Sequence, residues 1–126
     1  MDQEPLDALL DQWESVYKKG LLTFWLLLLL DERPMYVLEM GEALTEASQG
    51  TVTADEKSLY RALRRFEATG LVESTWQPSD VGPRRRYYHL TDLGLALLRR
   101  FIQRNILIFQ KPPIAQRLAA LLEKID

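Results

Sequence analysis

The chain has no cysteine and a single histidine, His89. Without cysteine there is no disulfide framework, no thiolate zinc site and no cysteine nucleophile. One histidine builds neither a His-rich metal site nor a Ser-His-Asp arrangement, so no metal and no cofactor are expected, and His89 reads as a strand residue facing solvent or phosphate. The six glycines are scattered, and none forms a phosphate-cradling loop. Long apolar runs are missing too. Leu21 to Leu30 is a stretch of ten residues between Gly20 and the acidic pair Asp31-Glu32, about half the ~20 residues that a membrane span needs, so it reads as a buried core helix and no membrane partner is expected. Asp2, Glu4, Asp7 and Asp11 stand where a secretory leader would carry positive charge, and the expected location is the cytoplasm. The carboxylate pairs Asp31-Glu32 and Asp55-Glu56 have structural readings in helix termination and capping instead of acid-base work. An enzyme is not expected.

What is present is a core and a divided charge. At 126 residues and 47% hydrophobic content, the chain is long enough for one compact domain and too short for two independent ones. Its net charge of -2 conceals a partition: residues 1–56 carry 3 basic and 12 acidic side chains, and residues 57–104 carry 10 basic and 4 acidic. A basic segment confined within an acidic chain is the layout of a localised phosphate-binding surface.

Leu6, Leu9, Leu10, Trp13, Val16 and Tyr17 fall on one helical face, predicting an amphipathic helix that ends near Gly20. The leucine-rich helix follows, stopped by Pro34. A third helix is expected from about Met35 to Ala47, then a turn at Gln49-Gly50. Thr53-Ala54-Asp55-Glu56 has the capping-box form, so a fourth helix is expected to start near Ala54. It should end at Gly70, with Leu71 closing back on Phe66. Leu71 to Gln77 and Arg86 to Leu90 read as two strands around a turn at Ser79 to Pro83, a hairpin with a basic tip. Thr91 caps a long helix to about Phe109, Pro112-Pro113 breaks it, and Ile114, Leu118, Leu121, Leu122 and Ile125 mark a final amphipathic helix. The expected fold is mostly α with a small β-hairpin: an N-terminal helix (1–19), a winged helix-turn-helix (20–91) and C-terminal helices (92–126).

The fourth helix carries the functional signal. Leu59, Leu63 and Phe66 lie at i, i+4 and i+7, as do Lys57, Arg61 and Arg64. At about 100° per residue the two sets face roughly 200° apart. Apolar residues would hold the helix to the core while a basic stripe, flanked by Ser58, Tyr60 and Arg65, points outward, the layout of a recognition helix for the DNA major groove. A basic stripe alone is more often a solvated face. Arg84, Arg85 and Arg86 on the adjoining hairpin shift the balance, with strand alternation putting Arg86, Tyr88 and Leu90 on one face and Arg85, Tyr87 and His89 on the other.

The order of a leucine-rich helix, Ser58 to Glu67, Gly70 to Ser74, then Gly82-Pro83-Arg84-Arg85-Arg86-Tyr87-Tyr88-His89-Leu90-Thr91 and Gly94, closely resembles the PadR-like transcriptional regulators from about Gly20 to Arg100. The resemblance implies a winged helix that binds operator DNA as a two-fold dimer, usually as a repressor, with the helix around Ser58 to Arg65 in the major groove and the arginine-bearing wing at the backbone or minor groove. Arg61 and Arg64, with Ser58 and Tyr60, are assigned to the major groove, and Arg85 and Arg86 mainly to phosphate or minor groove. Met35 to Glu39 and Glu56-Lys57-Ser58 depart from the family's glycine-containing stretches. Some relatives bind flat hydrophobic ligands through a tryptophan on the C-terminal helix. Here the tryptophans are Trp13, Trp25 and Trp76, so no small-molecule effector is assigned. The acidic extension ahead of the core also resembles that of a circadian regulator, which implies a place in rhythmic gene expression.

Apolar residues left over by a small core ask for a partner. Leu6, Leu10, Trp13 and Tyr17 at the N-terminus, and Leu97, Phe101, Ile102 and Ile108 toward the C-terminus, are expected to form a homodimer interface matching a palindromic operator. The alternative is a winged helix that binds another protein and no DNA, docking through acidic residues 1–14.

Overall fold

The computed structural model describes residues 3–123; the expected contribution of Ile125 lies outside them. Five α-helices and one hairpin follow in the order α1 (Gln3–Glu32), α2 (Val37–Ala47), α3 (Glu56–Ala68), β1 (Val72–Ser79), β2 (Gly82–Leu90), α4 (Asp92–Phe101) and α5 (Ile114–Glu123).

The two N-terminal helices expected on either side of Gly20 are one helix of 30 residues. A glycine inside a helix costs about 1 kcal/mol against alanine, whereas ending the helix there would strand unpaired carbonyls beside a segment that buries leucines at roughly 1.5–3 kcal/mol each. The N-terminal half is therefore a continuous arm of the core helix and not a separate unit. Leu26, Leu27, Leu29 and Leu30 at its other end are buried among Met40 and Leu44 of α2, Leu59, Leu63 and Phe66 of α3, Val72 of β1, Tyr88 of β2 and Leu98 of α4.

After α1 stops ahead of Pro34, Met35 does not begin α2 as expected. It pairs with Tyr88 through two backbone hydrogen bonds, its amide donating to the Tyr88 carbonyl at 3.1 Å and its carbonyl accepting from the Tyr88 amide at 2.9 Å. This short bridge pins the α1–α2 connection to the base of the hairpin and places Tyr36 beside Tyr87, ring centroids 5.3 Å apart.

The capping box at Thr53 is also corrected. The Ser48 hydroxyl donates to the Val52 carbonyl and accepts from the Val52 amide, which fixes the chain leaving the Gln49-Gly50 turn in a non-helical path. The helix begins two residues later, with Asp55 as its cap. The far end of α3 forms as expected: Gly70 takes a left-handed conformation (φ 80°), its amide donates to the Glu67 carbonyl, and the Leu71 amide donates to the Phe66 carbonyl at 2.8 Å, the full Schellman pattern.

β1 and β2 pair antiparallel from Val72↔Leu90 to Ser79↔Gly82, with an irregularity between Gln77 and Ser79, where Pro78 offers no amide to the ladder. The hairpin is longer than expected, and its tip is Asp80-Val81. The arginines lie along β2, so the expected basic tip is a basic strand. Thr91 caps α4 as expected, accepting from the Gly94 amide at 3.1 Å and donating to the Gly70 and Leu71 carbonyls. The long C-terminal helix changes character after Phe101, widening to a π turn over Ile102–Ile106 and tightening to a 3-10 turn over Leu107–Gln110.

Candidate nucleic-acid interface

At the start of α3 the Asp55 carboxylate accepts a hydrogen bond from the Ser58 amide at 2.8 Å. That bond holds the Asp55 carboxyl below its ordinary value, with the Ser58 hydroxyl and the charges of Arg61 and Lys57 adding to the effect. From this cap the helix presents two faces. Leu59, Ala62, Leu63 and Phe66 are buried, while Lys57, Tyr60, Arg61, Arg64 and Arg65 are exposed and Ser58 is half-buried. Among the described residues, no ion pair engages Lys57, Arg61, Arg64 or Arg65. Lys57, Tyr60, Arg61 and Arg64 line an open cleft of about 330 Å³.

The hairpin stands beside this stripe. A neighbouring cleft of about 350 Å³ is walled by Tyr60 from α3 and by Tyr36, Trp76, Arg84, Arg85 and Arg86, so α3 and the hairpin share one surface. Arg84 is exposed and lies 5.6 Å from the Trp76 ring, and Arg85 sits over Tyr36 at 4.4 Å. These stacked guanidiniums keep hydrogen-bond donors at their edges for an anion.

Arg86 is different. Its Nη2 donates to both carboxylate oxygens of Glu67, at 3.0 and 3.1 Å, and its Nε donates to the Ser74 hydroxyl at 2.8 Å. The Ser74 hydroxyl in turn donates to Glu67 at 3.1 Å. The expected phosphate role for Arg86 is therefore corrected: its guanidinium is committed to a brace between the last turns of α3 and the wing. The alternation along β2 explains the split, since Arg86 shares the inward face with buried Tyr88, whose hydroxyl pKa is raised by burial. His89, on the other face, lies 3.3 Å from Glu73 of the paired strand.

The residues expected at a dimer interface divide into exposed and packed ones. Leu6, Leu10, Trp13 and Tyr17 are exposed on the α1 arm, Trp13 at 74%, and Leu97 and Ile108 are exposed near the C-terminus. Phe101 and Ile102 depart from expectation. Phe101 stacks on Phe24 of α1 at 5.7 Å and Ile102 packs against the core, because the return of α4 along α1 covers them within the chain.

Three contributors escaped the sequence reading. Tyr36 lies just ahead of α2 and not inside the expected helix, and Glu67 joins Arg86 across 19 residues with no local signal. Trp76 is opposite Arg86 in the register, and counting back from the turn would have paired it with Arg85, because the irregularity between Gln77 and Ser79 shifts the ladder by one residue.

The family model described as the transcriptional regulator PadR-like family matches residues 26–100. A PadR-like transcription factor from Bacteroides fragilis is 32% identical, with a TM-score of 0.59 over 71% of this chain and 84% of that one. A PadR-like transcriptional regulator from Bacillus cereus is 29% identical, with a TM-score of 0.62 over 86% and 96%. The Bacillus subtilis PadR, solved in complex with operator DNA, shares the fold at 16% identity, with a TM-score of 0.62 over 84% of this chain and 60% of that one. With a family match over more than half its length and an α3 stripe set beside an arginine-bearing hairpin, the chain belongs to the PadR-like family of transcriptional regulators and is a regulator, not an enzyme.

Proposed function

We propose that the protein is a sequence-specific DNA-binding repressor that acts in the cytoplasm as a homodimer on a palindromic operator. The observation that carries this reading is the row of unpaired cations on α3 beside the free arginines of the wing. Double-stranded DNA presents a groove about 12 Å wide that admits one helix, with phosphates on its rims. α3 enters that groove with Ser58, Tyr60, Arg61 and Arg64 toward base edges and Lys57 and Arg65 toward phosphate. Arg84 and Arg85 reach the backbone or minor groove, while Arg86 braces them. The Bacillus subtilis PadR, which shares this fold, is solved in complex with operator DNA, and this supports DNA as the partner.

The exposed apolar arm of α1, together with Leu97 and Ile108, supports a two-fold dimer, which would set the half-sites one helical turn, about 34 Å, apart. Control of rhythmic gene expression is the finer form of the proposal and rests on the acidic extension alone; the regulated transcript should then cycle, and lose its cycling when the gene is deleted.

A salt titration tests the central reading. Affinity for operator DNA should fall steeply with salt, with a log-log slope near -0.9 per phosphate neutralised. A protein-docking module would show no such DNA binding at any salt concentration.

A further inference from the structure

Residues 1–56 contain only three cations, and two of them, Lys18 and Lys19, are adjacent. Because α1 runs unbroken through Gly20, both are carried on one continuous helix past the entrance of α3. There they line an open cleft of about 630 Å³ whose opposite wall is formed by Thr51, Thr53, Asp55 and Ser58. Lys19 is exposed, and Lys18 is ion-paired to Glu14 at 2.7 Å across one turn of α1. Asp55 is committed to the Ser58 amide as the helix cap.

The position of this cleft relative to the wing gives it meaning. At about 100° per residue, Ser58, which faces the lysine cleft, and Tyr60, which faces the wing cleft, stand roughly 160° apart across the outer side of α3, with Arg61 between them. A helix lying in a major groove has a sugar-phosphate backbone on each side. The wing arginines serve one side only.

We infer that Lys18 and Lys19 form a second phosphate clamp, holding the DNA backbone on the side of α3 opposite the wing. The inference rests on the DNA-binding reading above and extends it to a part of the chain whose overall charge is strongly acidic. On docking, Lys18 exchanges Glu14 for a phosphate oxygen, and the hydroxyls of Thr51 and Thr53 lie beside the same strand. The clamp fixes the register of α3 in the groove without reading sequence.

The test uses the full chain with Lys18→Gln and Lys19→Gln together, since glutamine preserves helix propensity at both positions. Binding to the operator should weaken about tenfold or more at physiological salt, non-specific DNA should weaken in proportion, and the log-log salt slope should shrink by about 1.8, two phosphates' worth. The preferred sequence, the thermal midpoint and the sedimentation behaviour should all match the wild type. Neutral methylphosphonates placed on the flanking backbone should weaken wild-type binding and leave the double variant little changed. An unaltered slope in the variant, with steeply salt-dependent binding by the wild type, overturns the clamp alone. Absence of DNA binding by the wild type overturns the DNA reading and the clamp together. A change in sedimentation shows that the cleft holds a second copy of the chain instead, and also overturns it.

Discussion

Glu67 is an acid on the helix proposed to enter the groove, where simple electrostatics would have it repel phosphate. Its carboxylate instead holds Arg86 and, through Ser74, ties α3 to β1 and β2. Glu67→Gln removes a negative charge near DNA, so a purely coulombic view expects tighter binding. Loss of the brace predicts the reverse: operator affinity reduced several-fold in a mobility-shift assay, with a stability loss of about 1 kcal/mol because the pair is half-exposed and a thermal midpoint lower by a few degrees. Tighter binding would show that Glu67 has no positioning role. Reading three consecutive arginines as one patch could not reveal this division of labour. Which arginine is free depends on partners 12 and 19 residues away, and strand alternation told only that neighbours differ.

At the level of elements, the punctuation of the chain was legible wherever the physics is local. Gly70 with Leu71, Thr91 with Gly94, and Pro34 each set a boundary within one turn, and the structure keeps all three. Boundaries set by tertiary contacts were not legible: Met35 is drawn off α2 by Tyr88, Thr53 is held out of α3 by the Ser48–Val52 bonds, and the hairpin runs past Pro78. The same distinction separates two helical glycines. A Cβ at Gly94 would collide with the Leu71 carbonyl and with Leu90, where α4 crosses the root of the wing, whereas a Cβ at Gly20 would meet nothing within 4 Å. Gly94→Ala should therefore destabilise by about 1–3 kcal/mol and Gly20→Ala should stabilise by roughly 0.4–1 kcal/mol, both measured by denaturant unfolding. A stable Gly94→Ala variant would mean that α4 does not seat on the hairpin as described.

On the scale of the whole molecule, charge and apolar surface are separated. The cations of α3 and β2 form one surface, while Leu6, Leu10, Trp13 and Tyr17 run exposed along the α1 arm. The proposed dimer places a second copy of the chain on that exposed stripe. Trp13→Glu should shift the sedimentation of the protein from dimer to monomer and abolish cooperative occupation of two half-sites while leaving the fold intact. A monomeric wild type would overturn the dimer. The charge partition that predicts this arrangement was visible in the sequence, because counting residues needs no contacts; the pairing of arm with arm requires a partner that a single chain does not contain.

The central claim concerns the open stripe on α3, and its most direct measurement is a mobility shift with Arg61→Ala and Arg64→Ala on operator fragments selected by the wild type. Each variant should keep the wild-type thermal midpoint and lose specific binding, an arginine that reads guanine being worth about 1–3 kcal/mol in discrimination. Undiminished, sequence-selective shifts by both variants would contradict the account.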